Sequence, residues 1–234
     1  NLCIQARTSH RDTPGHRVLS GHADLGLAPS ETVISFMHET HNHPVAIAAL
    51  LQKDASAIVT LQTSGIDQLR KLDGKQYSCF GGKYEMQIVK ELVKGDGGEG
   101  SIVEDVAPRL SSFVQVLDGN ADAAWVFVPW EGVHAQMNEI PLNVFCVGES
   151  SSVKYGYSPV LFASQEIIQD SVKAAKLAAL LAVTARGYQY AAEHPEESID
   201  MMVSNAKNAA LDQLPREYLL CSLKHLIDQK YFFN

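Results

Sequence analysis

No block of lysine or arginine occurs in these 234 residues, and the formal charge at neutral pH is −8. Binding to nucleic acid or to an anionic membrane surface draws its strength from clustered cations that displace counterions, so the composition argues against both partners. The four cysteines, Cys3, Cys79, Cys146 and Cys221, stand far apart with no C-x-x-C pair. That spacing indicates neither a zinc site nor a disulfide framework, and buried free thiols are expected. No apolar run approaches the ~20 residues that span a bilayer. The G-x-S-x-G nucleophile elbow is missing, and Gly81-Gly82-Lys83 has neither the P-loop spacing nor a Ser or Thr after its lysine. Hydrolase chemistry and nucleotide hydrolysis are both disfavoured. His38-Glu39-Thr40-His41 falls short of a zincin motif, because its imidazoles are three residues apart instead of four and precede a loop. Even with His43 nearby it reads as a solvated helix end. No metal and no cofactor is expected.

What is present is the composition of a globular chain, 46% hydrophobic and 20% charged, with mass for one large or two smaller cores. A small molecule is the natural partner. The start at Asn1, in mid-pattern and without an initiator Met or signal peptide, leads to the expectation that a true N-terminus is missing. Short strands are read at Leu2–Ala6, Leu25–Ala28, Val45–Leu51 (buried), Ala57–Leu61, Gln76–Phe80, Val103–Val106, Leu142–Val147 and Val160–Ala163, and in the apolar segment of Gly119–Val133 that breaks at Pro129. They alternate with helical patterns, and everything after Ser164 is helical. That alternation argues for an α/β fold with largely parallel sheets.

Two stretches share one grammar. Gly21-x-Ala23-Asp24 leads through a strand to Pro29-x-Glu31-x-Val33, and Gly119-x-Ala121-Asp122 leads to Pro129-x-Glu131-x-Val133. Each runs from a helix end through a strand to a proline break and a glutamate in a helical first turn, where the dipole favours it. Ser30 is read as the N-cap of the first of these helices. Gly-x-Ala-Asp is a cheap connector, so chance repetition is one reading; the other is two lobes, each presenting a strand-end carboxylate to a common cleft. The expected division puts 1–61 and 158–234 in one lobe and 62–157 in the other, with crossings at Ala57–Gly65 and Tyr155–Val160.

Aromatic and carboxylate residues concentrate at the strand ends: Glu31, Tyr84, Glu85, Trp130, Glu131, Tyr155 and Tyr157. The loop Gly81-Gly82-Lys83-Tyr84-Glu85 separates a strand end from a helix N-terminus, where free N–H groups hold an anion or a polar ligand edge. Taken singly, each of these residues is equally an exposed turn residue or an aromatic at a lobe edge. Together, flat rings and carboxylates suit an amino-substituted heteroaromatic, the rings stacking and the carboxylates accepting N–H bonds.

The segments Gly21-His22-Ala23-Asp24-Leu25-Gly26-Leu27-Ala28-Pro29-Ser30-Glu31, Leu72-Asp73-Gly74-Lys75, Ala121 to Gly132, Gly156-Tyr157-Ser158-Pro159-Val160-Leu161 and Arg186 to Glu197 carry a resemblance over nearly the whole chain. The sequence resembles the family that holds the formyl-aminopyrimidine-binding and aliphatic-sulfonate-binding proteins and the fungal thiamin-pyrimidine synthase. The resemblance implies a type II periplasmic-binding-protein fold, two α/β lobes with mostly parallel sheets and a helical C-terminal part, closing on a ligand by hinge motion. It also implies that a first strand and helix, and a C-terminal continuation, are absent from the chain. It further implies a solute-binding protein for a thiamin-precursor aminopyrimidine, serving the membrane component of an ABC importer outside the cytoplasm. Ser30, Glu31, Gly82, Tyr84, Glu85, Trp130, Glu131, Tyr155 and Tyr157 become the expected ligand contacts, with Glu31 and Glu131 facing across one cleft. The alternative is a cytoplasmic enzyme of the synthase type. That branch uses a Lys and a consumed His, and here Ala28 and Thr32 stand at those positions. Its Cys-rich motif is replaced by Ser150 to Tyr157, so no enzyme is expected.

Overall fold

The computed structural model describes residues 2–5, 13–38, 42–107, 111–156, 158–205 and 214–232. In chain order the elements are α1 (Pro14–Leu19), β1 (Gly26–Ala28), α2 (Ser30–Ser35), β2 (Pro44–Ala49), β3 (Ser56–Leu61), β4 (Gln76–Cys79), α3 (Glu85–Gly95), β5 (Val103–Val106), α4 (Ser112–Leu117) and β6 (Ala123–Phe127). A π-helical turn (Val128–Gly132), α5 (Val133–Met137), β7 (Leu142–Cys146), β8 (Val160–Ser164), α6 (Gln165–Gln169), α7 (Ser171–Glu193), α8 (Pro195–Asn205) and α9 (Arg216–Asp228) follow. Helices alternate with strands as the α/β reading requires, and the chain closes on helices.

The chain forms two compact units: Asn1–Gln52 with Tyr157–Gln189, and Lys53–Gly156 with Tyr190–Asn234. The expected lobe boundaries are corrected on two counts. Strand β3 belongs to the second unit, because Ala57, Ile58 and Val59 pair with β6 on one side and β7 on the other. The residues after Gln189 also join the second unit, because Ile199 of α8 and Tyr218 and Leu219 of α9 bury themselves against Val133 of α5. A crossing inside α7 leaves no punctuation in the sequence, since the helix runs through it unbroken.

In the second unit the strand order is β5-β4-β6-β3-β7. The crossover helices α3 and α4 return the chain to the same end of the sheet, so β4 pairs parallel with both β5 and β6. Strand β7 shares their direction, and only β3, which follows the crossing into this unit, opposes its neighbours. Both faces of the sheet are covered. Ile58, Tyr77, Cys79, Ala123 and Trp125 pack with Val89, Leu92 and Val93 of α3 on one face, and Ala57, Val59 and Val126 pack with Phe113 and Ala135 on the other. Successive strand residues point to opposite faces, so a strand covered on both sides is buried along its length: Ala57–Val59 read as an apolar run, and the flanking hydroxyls of Ser56 and Thr60 are buried and hydrogen-bonded to Asp54 and to the Ile66 carbonyl.

The first unit is smaller. Its sheet has the order β1-β8-β2, with β8 antiparallel to both neighbours. The core is Val18, Ala28, Val33, Val160 and Phe162. The expectation of a buried strand at Val45–Leu51 is corrected: β2 is an edge strand, bulged between Ala46 and Ala48, with Val45 exposed. Leu2–Gln5 form no strand, with Leu2 and Ile4 in solvent and no partner strand beside them; Ala6 lies outside the described residues. No helix among the described residues is long and apolar enough to cross a membrane.

Candidate functional site

Aromatic side chains and buried carboxylates lie near the strand ends of the second unit. Strand β4 ends at Cys79, and Phe80 leads into Gly81, whose φ of +80° is a left-handed conformation open chiefly to glycine. Gly82 follows under a second constraint, because a Cβ there would stand 2.8 Å from the Phe80 ring and 3.3 Å from the Glu85 Cβ. These two glycines let the loop fold tightly over the start of α3. Next to it in the sheet, β6 carries Trp125, whose ring meets Phe80 edge to face at 6.4 Å and Tyr155 at 5.5 Å. Trp125 is buried at 7% exposure, Tyr155 is half-buried and Phe80 is open at 46%, so the trio forms a wall whose most accessible ring is Phe80. Edge-to-face contacts of this kind hold ring orientation as well as burying area.

Glu85 sits at the first position of α3 but turns back under the loop. Its carboxylate is 3% exposed and accepts from the Tyr77 hydroxyl at 2.9 Å, from Phe80 N–H at 3.2 Å and from Gly82 N–H at 3.0 Å. Burial raises its pKa, and these donors oppose the shift. The expected role of Glu85 as a ligand contact is therefore revised: its oxygens are spent on the loop's own backbone. Burial and the neighbouring carboxylate push the Tyr77 hydroxyl well above its usual value, so it stays protonated and donating. Tyr84 is half-buried under the Lys83 ammonium, 5.3 Å from its ring centroid.

Beyond β6 the chain winds the π turn that holds Pro129, Trp130 and Glu131. Such turns are uncommon and concentrate at functional sites. The Glu131 carboxylate folds back to accept Phe127 N–H at 2.8 Å, and burial raises its pKa. Trp130 is 37% exposed, its ring set against Tyr218 at 4.9 Å and its carbonyl accepting the Tyr218 hydroxyl at 3.0 Å. The Ser222 hydroxyl donates to the Pro129 carbonyl. Helix α9 thus clamps the turn, and Trp130 offers one flank of its ring instead of both faces.

In the first unit the expectation that Ser30 caps α2 is corrected. Pro29 occupies the cap position, with φ −56° and ψ 144°, and Ser30 is the first helical residue. Glu31 lies in the first turn, half-buried. Tyr157 and the His41 end of the zincin-like stretch fall outside the described residues. Among the described residues no group of three or more His, Cys, Asp or Glu side chains is placed to hold a metal ion.

Within the second unit the structure brings together Gly82, Tyr84 and Glu85 on one loop, Trp130 and Glu131 on the π turn, and Tyr155 against Trp125. Phe80, Trp125 and Tyr77 were absent from the expected contacts. The available signal was alternation: Tyr77 and Cys79 on β4, with Ala123 and Trp125 on β6, mark the same face, and Phe80 is the last residue before the paired glycines.

The NMT1/THI5-like family model matches residues 2–198. No curated protein matches the sequence. Among solved structures, the periplasmic aliphatic sulphonate binding protein SsuA of Escherichia coli is similar, with a TM-score of 0.67 and 16% identity over 90% of this chain and 68% of that one. The alkanesulfonate-binding protein SsuA of Xanthomonas axonopodis pv. citri, solved with MOPS, has a TM-score of 0.64 and 14% identity over 90% of this chain and 68% of that one. The periplasmic nitrate-binding protein NrtA of Synechocystis PCC 6803 has a TM-score of 0.61 and 14% identity over 89% and 58%. At these identities the likeness establishes the fold, that of the periplasmic-binding-protein α/β class.

Proposed function

The chain belongs to the NMT1/THI5-like family, and from that premise we propose that it is a solute-binding protein for a small heteroaromatic, a thiamin-precursor aminopyrimidine, serving an ABC importer. The observation that carries the ligand class is the aromatic wall of Phe80, Trp125 and Tyr155 at the strand ends of the second unit, with the Phe80 ring open to solvent. In α/β sheets the carboxyl ends of strands are where ligands bind. A planar ring stacks on Phe80 or on the open flank of Trp130, and amino N–H groups find an acceptor at Glu131, all within this unit. Gly82, Tyr84 and Tyr155 complete the proposed contacts in this unit.

Binding is favoured over synthesis because Ala28 and Thr32 supply neither an amine nor an imidazole where the resembling synthase branch has them. The sulfonates and nitrate in the names of the similar structures belong to those proteins; they support a carrier role and leave the ligand open. With that role go an extracytoplasmic location and the importer's membrane component as partner.

Titration calorimetry with a panel of aminopyrimidines tests this. One-site binding is expected for the wild type, with affinity reduced about tenfold or more in Phe80→Ala, the order of one lost stacking contact. No binding, or binding unchanged in Phe80→Ala and in Trp130→Ala with Glu131→Gln, overturns it. Borohydride treatment with pyridoxal phosphate followed by mass spectrometry is expected to leave every lysine unmodified at stoichiometric level; a specific adduct would favour the enzyme instead.

A further inference from the structure

We propose that the loop after β4 is an anion cradle filled by the protein's own Glu85, so that this chain refuses oxyanions there and takes a neutral or cationic ligand. The ligand half of this inference rests on the binding role proposed above; the cradle itself rests on geometry alone.

The left-handed Gly81 between two residues of ordinary φ turns successive N–H groups toward one point, the arrangement that makes a backbone nest. Phe80 N–H donates to both Glu85 oxygens at 3.2 Å, Gly82 N–H donates to Oε2 at 3.0 Å, and the Gly81 N–H also contributes to holding the carboxylate. The Tyr77 hydroxyl closes the far side on Oε1 at 2.9 Å. A planar group with two oxygens, buried at 3% exposure, thus occupies the place where an external oxyanion would draw its hydrogen bonds. It arrives from the chain three residues after Gly82, from the first position of α3, where the helix dipole further favours negative charge.

Two consequences follow from electrostatics. The N–H groups that hold Glu85 are not available to a sulfonate, sulfate or nitrate, and a second anion beside them meets like charge. A neutral ring or one carrying amino N–H groups pays no such penalty. The Phe80 ring, held in place because Gly82 has no Cβ to displace it, remains as the open surface above the filled cradle.

The experiment compares the wild type, Glu85→Ala and Glu85→Gln by thermal unfolding in sodium sulfate against sodium chloride at equal ionic strength, and by calorimetric titration with a short alkanesulfonate. The wild type is expected to show no saturable sulfate or sulfonate binding. Glu85→Ala vacates the cradle and is expected to gain a saturable, sulfate-specific rise in Tm and a measurable sulfonate heat. Glu85→Gln keeps the cradle filled by an amide and is expected to gain neither. A folded Glu85→Ala that gains no anion binding, or a wild type that binds sulfonate with an affinity unchanged in Glu85→Gln, overturns the inference. If Glu85→Ala does not fold, the second of these comparisons decides alone. Gain of sulfate binding in Glu85→Ala with no aminopyrimidine binding by the wild type would uphold the cradle while removing the aminopyrimidine, so the two readings fail separately.

Discussion

In the first unit Pro29-Ser30-Glu31 opens an ordinary α-helix, whereas in the second Pro129-Trp130-Glu131 winds a π turn whose carboxylate bends back onto Phe127 N–H. The two segments share their proline, their glutamate and the strand before them. They differ in what packs behind. The π turn is clamped by α9, through Tyr218 and Ser222, and its strand lies in a sheet covered on both faces. Helix α2 follows a three-residue strand over a five-residue core, with Ile34 64% exposed. Local sequence grammar thus sets the turn, and long-range packing decides how rigidly it is held.

Tyr218→Ala strikes the clamp hardest. It removes a buried ring and the hydroxyl donated to Trp130, and the loss of stability in urea is expected to be about 3 kcal/mol or more. A loss below about 1 kcal/mol would show that the turn holds without α9. Ser222→Ala leaves the Pro129 carbonyl without that donor, for an expected cost of about 1–3 kcal/mol.

The acidic side chains sharpen the comparison through pH. Burial raises the folded-state pKa of both Glu131 and Glu85 above the ordinary 4.5, so the native state holds more protons than the unfolded chain. Their contribution to stability is therefore fully present below about 4.5 and is lost as pH rises through the raised folded values. Urea midpoints measured from about pH 4 to about pH 7 are expected to show a falling component that Glu131→Gln reduces; a slope unchanged in that variant contradicts the burial of its charge.

Much of the second unit was legible in sequence. The apolar run of β3, the paired glycines at 81 and 82 and the strand-to-proline break at 129 each follow from local rules, and each marks a real strand or strand end. What could not be read locally is who holds whom. Ser222 and Pro129 are 93 residues apart, and Tyr218 and Trp130 are 88. Glu85 read as a polar ligand contact because a carboxylate in a glycine loop is ordinarily exposed; only the positions of Phe80 N–H, Gly82 N–H and Tyr77 reveal it as buried and spent. Strand β2 misled for a related reason, since its Val, Ala and Ile residues are those of a buried strand while its place at a bulged sheet edge leaves it half open. Ser30 looked like a cap because Ser caps helices often, yet the fixed φ of Pro29 claims that position.

Both tryptophans of the chain, Trp125 and Trp130, lie on β6 and the turn that follows it, so intrinsic fluorescence reports on the proposed ligand surface. The most direct measurement is a fluorescence titration of the full chain with an aminopyrimidine and, in parallel, with an alkanesulfonate, repeated in Trp130→Phe so that Trp125 reports alone. Saturable quenching by the aminopyrimidine in both proteins, with no response to the sulfonate, is the expected result. Emission that ignores the aminopyrimidine and responds to the sulfonate would contradict it.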